Sequence, residues 1–150
     1  MKLLNWVVVS FSLMILNCSP NKNNDLTINA EEVNQLAIQI APDTSRQFVY
    51  TNKEAAFFYG ESGRILRNGH QGFYVMEKKY LDDYIIGSGN RRFHRYEAQD
   101  IKMYPDHLER SYQDGVVEKL YLLDHLNCLA IDLLAQKPRH YFFIPLFPDG

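Results

Sequence analysis

Short apolar and aromatic runs alternate with turn-forming residues along most of the chain. Between positions 68 and 123 these runs are rich in Tyr, Phe, Val and Ile, and clusters of Gly, Asn, Asp and Pro separate them. β-Branched and aromatic residues favour strands, whereas Gly and Asn adopt the positive φ angles of tight turns at little cost. The pattern therefore predicts a series of antiparallel strands.

Ten or so short strands joined by tight turns are typical of an antiparallel β-sandwich, and we predict that mostly-β fold class. Strands are expected at 36–41, 46–51, 55–59, 73–76, 84–86, 93–97, 100–104, 108–112, 116–123 and 141–146, with a short one at 64–67. Turns are expected at Gly87-Ser-Gly-Asn90 and Gln113-Asp-Gly115. A short helical turn should precede the first strand, because Asn29 and Glu32 have the spacing of a capping box.

The stretch 116–136 fits two structures. Leu122, Leu126, Leu129 and Leu133 are spaced as one stripe of a helix, but Leu129, Ile131 and Leu133 also alternate as in a strand. The pattern alone slightly favours the helix.

The first residues resemble a bacterial lipoprotein signal. Lys2 is followed by a mostly apolar run to Leu16, and Cys18 comes directly after Asn17. A charged start and a short apolar run are typical of a signal peptide rather than of a spanning helix, which needs about 20 apolar residues. Asn17 departs from the lipoprotein pattern, which prefers Gly, Ala or Ser before the cysteine. An ordinary signal peptide with an incidental cysteine is the alternative.

The predicted organisation has three parts. Residues 1–17 form the signal peptide, 18–25 hold the lipidated Cys18 and a polar tether, and 26–150 form the β-sandwich domain. An acyl chain on Cys18 would hold the domain to membrane lipid without spanning the bilayer. We therefore expect an exported bacterial lipoprotein in the periplasm or at the cell surface.

Composition excludes one class of partner. The 150 residues have a net charge of −2, with 46% hydrophobic and 13% aromatic residues. Such a chain can bury a core, and it lacks the basic surplus of a nucleic-acid-binding protein. Two cysteines are too few for a disulfide framework.

Candidate chemistry is sparse. The five histidines have no metal-binding spacing, so we expect neither a metal site nor a cofactor. Cys128 lies in an apolar run and is expected to be a buried, inert thiol. Asp82, Asp83 and Glu97 lie near aromatics, but adjacent strand residues point to opposite faces, so Asp82 and Asp83 cannot form a glycosidase pair. We expect salt-bridged surface acids there and assign no catalytic residue.

Aromatic side chains are the remaining candidates for ligand contact. Tyr59, Tyr74, Tyr80, Tyr84 and Tyr104 could serve as platforms for a sugar ring, although the only tryptophan, Trp6, lies in the signal segment. The basic cluster Arg91-Arg-Phe-His-Arg95 is expected to be a solvated turn. No ligand-binding residue can be assigned from the pattern alone.

Several segments together resemble the N-terminal region of bacterial amylo-alpha-1,6-glucosidase (glycogen-debranching) type proteins. They are Phe48-Val-Tyr-Thr-Asn52, Tyr59-Gly60, Asn68-Gly-His-Gln-Gly-Phe-Tyr74, Asp83-Tyr84, Tyr104-Pro105, Leu108-Glu-Arg110, Asp114-Gly-Val-Val-Glu118 and Ile144-Pro-Leu-Phe-Pro-Asp-Gly150. In that family the region is a β-sandwich in front of an (α/α)6 barrel that carries the catalytic carboxylates. The resemblance implies strands rather than a helix over 116–134, and we adopt that prediction.

The resemblance implies a supporting role. The chain would be the non-catalytic sandwich module of an exported glycan-degrading hydrolase, truncated before its catalytic barrel. Its partners would be membrane lipid, a glycan and the missing C-terminal domain. The alternative is a complete small lipoprotein that binds a carbohydrate or a protein without catalysis.

Overall fold

The protein is mostly β, as the sequence predicts. The computed structural model describes residues 7–12, 30–41, 43–64 and 70–148. The elements are, in chain order, β1 (Val7–Ser12), α1 (Ala30–Gln35), β2 (Ile38–Ile40), β3 (Gln47–Thr51), β4 (Ala56–Glu61), β5 (Gly72–Val75), β6 (Lys78–Leu81), β7 (Asp83–Ser88), β8 (Arg91–Arg92), β9 (Asp100–Met103), β10 (His107–Tyr112), β11 (Val116–Leu122), β12 (Leu129–Ala135) and β13 (Tyr141–Leu146). Single turns of 3-10 helix at Arg95–Glu97 and Gln113–Gly115 lie between β8 and β9 and between β10 and β11.

Three antiparallel sheets are formed by the described strands. The largest has the order β1-β12-β11-β10-β9-β2, and the two smaller ones have the orders β3-β4-β5-β6 and β13-β7-β8. Most neighbours follow each other in sequence, because tight turns connect antiparallel strands directly. This architecture is consistent with the predicted β-sandwich.

The six-stranded sheet forms one layer, and the two smaller sheets pack against it. The Tyr50 hydroxyl on β3 donates to the carbonyl oxygens of Tyr104 and His107, at 3.0 and 2.7 Å. On the other small sheet, the Tyr84 hydroxyl of β7 donates to the Glu118 carboxylate of β11. A single hydrophobic core contains side chains from all three sheets.

Strands β11 and β12 resolve the ambiguity of the stretch 116–136. Leu129, Ile131 and Leu133 are all buried in the core, at 4–5% exposure. Alternate residues of a strand point to one face, so this burial follows from a period of two. The strand prediction is confirmed, and His125 in the intervening turn has the positive φ of 60° that a tight connection requires.

One expected strand is wrong, and three of the described strands were not predicted: β1, which lies within the predicted signal peptide, β6 and β8. Residues 93–97 do not continue a strand, because the Glu97 amide donates to the His94 carbonyl at 2.8 Å and closes a 3-10 turn. β8 consists of Arg91 and Arg92, and β6 begins with Lys78 and Lys79, so neither shows the apolar alternation that marks a strand in sequence.

The N-terminal segment enters the structure at one point. Val7–Ser12, within the predicted signal peptide, pairs with β12 in the register Val7 to Ala135 and Ser12 to Ala130. Cys18, the tether, the expected cap Asn29 and most of the expected strand at 64–67 lie outside the described residues. The signal peptide and the lipid attachment therefore stay predictions. Within the described ranges, no helix has the length and apolar character to cross a membrane.

Candidate functional site: a cavity above a buried ion pair

A buried ion pair lies in the middle of the six-stranded sheet. Arg110 on β10 and Glu118 on β11 are direct cross-strand partners, and both side chains point into the core. Their side chains are 1% exposed, and Arg110 Nη1 lies 2.7 Å from Glu118 Oε1. Removing two charges from water costs several kcal/mol per ion unless further hydrogen bonds satisfy them. The surroundings should therefore supply those bonds.

Donors and acceptors from three elements satisfy this pair. The Tyr112 hydroxyl donates to Glu118 Oε2 at 2.6 Å, and the Tyr84 hydroxyl donates to Oε1. Arg110 donates to the carbonyl oxygens of Glu61 and Ser62, at the end of β4. The pair thus ties β4, β7, β10 and β11 together.

The charges of the pair persist in spite of burial. Burial raises the pKa of a carboxyl group, but at Glu118 the Arg110 and Arg95 guanidiniums and the two phenol hydroxyls hold the pKa below its ordinary value. Burial and the adjacent Glu118 charge raise the pKa of Tyr84 and of Tyr112 well above the ordinary value. At neutral pH Glu118 is therefore an anion whose oxygens are occupied by donors, and both tyrosines are neutral. Such a carboxylate holds its neighbours in place and is poorly suited to accept a proton from a substrate.

A cavity of about 230 Å³ opens above this pair, between the six-stranded sheet and the β13-β7-β8 sheet; we call it the interlayer cavity. It is lined by Arg64, Tyr84, Ile85, Ile86, Arg92, Phe93, His94, Arg95, Tyr96, Tyr112 and Glu118. Four aromatic rings and several charged groups therefore face one small space. This combination of apolar walls with a few convergent polar groups is typical of ligand sites.

Arg95 forms the polar wall of the interlayer cavity. Its side chain is 9% exposed, it forms an ion pair with the equally buried Asp83, and its guanidinium lies 4.9 Å from the centre of the Tyr84 ring. The expectation that Arg91–Arg95 is a solvated turn is therefore wrong at Arg95. The expectation of surface acids is wrong at Asp83, whereas Asp82 does form a partly exposed ion pair with Lys79 at 2.8 Å. Asp82 lies in the bend between β6 and β7, whereas Asp83 is the first residue of β7 and is buried.

Aromatic residues at the interlayer cavity are only partly those that the sequence indicated. Of the five proposed platforms, Tyr84 lines it, Tyr104 is buried elsewhere against His107, and the others lie on the four-stranded sheet. Tyr96 was missed, although it is 65% exposed at the cavity and stacks on His94 at 5.1 Å.

The other candidate residues carry no site in the described structure. Cys128 is buried, and burial raises the pKa of its thiol, in agreement with the predicted inert cysteine. Glu97 lies 3.9 Å from Arg91 as a partly exposed ion pair. Among the described residues, no group of three or more His, Cys, Asp or Glu side chains could hold a metal ion.

Arg110 and Glu118 were missed by sequence reasoning, although the sequence carries a signal for them. Arg110 stands between Leu108 and Tyr112, and Glu118 stands between Val116 and Leu120, so that each occupies an inward position of an alternating strand. Opposite charges at inward positions on the two sides of one predicted hairpin indicate a buried ion pair.

Comparisons with protein-family models, with curated proteins and with solved structures find no match.

Proposed function

We propose that this chain is a non-catalytic β-sandwich module of an exported glycan-degrading hydrolase, and that its interlayer cavity binds one sugar unit of the glycan. The observation that carries the proposal is the cavity itself, where the rings of Tyr84, Phe93, Tyr96 and Tyr112 surround polar groups. Aromatic rings offer flat apolar surfaces, while guanidiniums and hydroxyls fix the orientation of a polar ligand.

The size of the cavity supports a single unit as ligand. At about 230 Å³ it is smaller than the roughly 300–1,000 Å³ of pockets that bury drug-sized molecules. Tyr96 is exposed at the mouth, where it can contact a neighbouring unit of a longer chain.

The locked state of Glu118 supports binding rather than catalysis. A general base must have a free lone pair within reach of the proton that it accepts. Both oxygens of Glu118 already accept hydrogen bonds from Tyr84, Tyr112 and Arg110. The resemblance to the amylo-alpha-1,6-glucosidase type supports the glycan as the ligand class and an exported hydrolase as the parent.

A glycan array that contains neutral α-glucans and acidic glycans tests this proposal. We expect the full chain to bind at least one glycan class and the Tyr96→Ala variant to lose most of that binding. Phe147→Ala is the matched control, since Phe147 is similarly exposed, at 59%, and does not line the cavity. Absence of binding to every glycan, or equal loss in both variants, would contradict the proposal.

A protein-binding lipoprotein is the second candidate, and one observation favours it. Ile144 and Leu146 in β13 and Phe147 directly after it are 38–59% exposed, and β13 lies at an edge of its sheet. Exposed apolar side chains on an edge strand suit contact with another protein. Retained glycan binding after Ile144→Lys would favour the cavity, while loss of a co-purifying protein partner would favour this candidate.

A further inference from the structure

The interlayer cavity carries a surplus of positive charge. Its lining includes three guanidinium groups, on Arg64, Arg92 and Arg95, and one carboxylate, on Glu118. That carboxylate is neutralised by Arg110 directly below it. Asp83 neutralises Arg95, which leaves the charges of Arg64 and Arg92 unmatched in the described part of the chain.

The rim offers little compensation for this charge. The side chains of Arg64 and Arg92 are exposed, and neither forms an ion pair with a described residue. Glu97 follows the cavity-lining Tyr96, but it lies 3.9 Å from Arg91, which does not line the cavity. Positive groups around a concave site with low-dielectric walls concentrate the field in it and attract anions.

The side chain of Arg95 is oriented so that it can bind such an anion. Among the described residues, Asp83 is the hydrogen-bond partner of the Arg95 side chain, so that most of its five N–H donors are left for a ligand. The Tyr84 ring and Asp83 hold the guanidinium in a fixed orientation. A planar, oriented guanidinium matches the geometry of a carboxylate.

We propose, on the basis of the proposed function, that the interlayer cavity selects a sugar unit that bears a carboxylate. The class of ligand is therefore a uronic acid. The carboxylate faces Arg95 with Arg92 and Arg64 at the mouth, and the ring lies among the aromatic walls. The hydroxyl groups of Tyr84 and Tyr112 donate to Glu118, so the arginines rather than these hydroxyls donate to the ligand's carboxylate.

Isothermal titration calorimetry of the full chain with D-glucuronate, D-glucose and acetate tests the inference. We expect glucuronate to bind at least about tenfold more tightly than glucose, since a charge-assisted contact contributes roughly 1.4 kcal/mol or more. It should also bind more tightly than acetate, which has the carboxylate but lacks the ring that contacts the aromatic walls. The affinity for glucuronate should fall as the NaCl concentration rises from 50 to 500 mM, because salt screens exposed charges.

Neighbouring arginines on β8 supply a matched pair of variants. Arg92 lines the cavity, whereas Arg91 does not and contacts Gln113 and Glu97 instead. Arg92→Gln should weaken glucuronate binding about fivefold or more, and Arg91→Gln should change it less than about twofold. Both positions are exposed, so both variants are expected to fold, which circular dichroism checks.

Four other results of these titrations would contradict the uronic-acid inference. Equal affinity for glucose and glucuronate would overturn the uronic-acid inference and leave the glycan-binding proposal in place. Equal affinity for acetate and glucuronate, without glucose binding, would show a simple anion site and overturn both. An equal effect of Arg91→Gln and Arg92→Gln would show attraction by the overall charge and overturn the inference, and so would the absence of any binding.

Discussion

At the scale of single residues, the structure depends on a charged pair placed where a strand pattern calls for apolar side chains. Arg110 and Glu118 occupy inward positions, and hydrogen bonds from two tyrosines and to two carbonyl oxygens compensate their desolvation. Such a pair is worth little relative to a well-packed apolar pair, but removal of one member leaves a buried charge without a partner.

Glu118→Leu should therefore lower the free energy of unfolding by about 3–5 kcal/mol, as measured by urea denaturation. The double variant Arg110→Met/Glu118→Leu should be clearly more stable than the sum of the two single changes predicts, because it leaves no orphan charge. Asp124→Ala is the control, because it breaks the exposed ion pair in which Asp124 Oδ2 lies 2.7 Å from Lys53 Nζ. It should lower the free energy of unfolding by at most about 1 kcal/mol. Additive effects of the two core changes would contradict this description of the pair.

The alternating pattern predicts that positions 110 and 118 point inward but gives no reason for a charge there. The reason lies in residues that are distant along the chain: Tyr84 and the end of β4 belong to the two smaller sheets and contact the pair from there. Arg95 was misjudged for the same reason, since its partner Asp83 belongs to another element. Sequence reasoning finds the direction of a side chain more readily than its partners.

At the scale of elements, local chemistry predicts strands well when apolar alternation is strong. Strands β10, β11 and β13 follow the predicted ranges within about one residue, because apolar residues recur along each of them and turn-forming residues mark their ends. The segment 93–97 fails because its inward groups include a charged arginine, and a backbone turn places that group over Asp83.

Leu129→Asp tests the strand assignment of β12. The side chain is 4% exposed in the core, so a carboxylate there would lack a partner, and we expect a loss of several kcal/mol, comparable with a typical domain's stability of roughly 5–15 kcal/mol. Leu126→Asp is the matched control, since Leu126 is 47% exposed in the turn before β12. Thermal unfolding followed by circular dichroism should separate the two variants clearly; equal transition temperatures would contradict the assignment.

At the scale of the whole molecule, residues 7–12 belong both to the predicted signal peptide, which would be removed, and to the observed strand β1, which would be kept. Removal of residues 1–17 by a signal peptidase would also remove β1 and expose the edge of β12. The pattern of the first eighteen residues predicts processing, while strand pairing shows only that the segment fits this edge. The two are separable by experiment.

Substitution of Cys18 tests whether the N-terminal segment is processed and lipidated. In a bacterial host, the wild-type protein should partition into detergent and begin at Cys18, whereas Cys18→Ala should remain unprocessed or be released. Cys128→Ala is the control, because the thiol of Cys128 is buried in the fold and should not affect partitioning. Detergent extraction with mass spectrometry of the N-terminus distinguishes the outcomes, and equal solubility of wild type and Cys18→Ala would contradict the anchor.

The interlayer cavity is the site at which we propose that ligands bind. Nuclear magnetic resonance of the 15N-labelled full chain, titrated with D-glucuronate, tests this proposal most directly, since each backbone amide reports on its own surroundings. We expect the largest shifts at the amides of Tyr84, Arg92, Tyr96 and Tyr112 and little change at those of β3 to β6. Shifts concentrated on the four-stranded sheet or on β13, or no shifts at saturating ligand, would contradict the proposal.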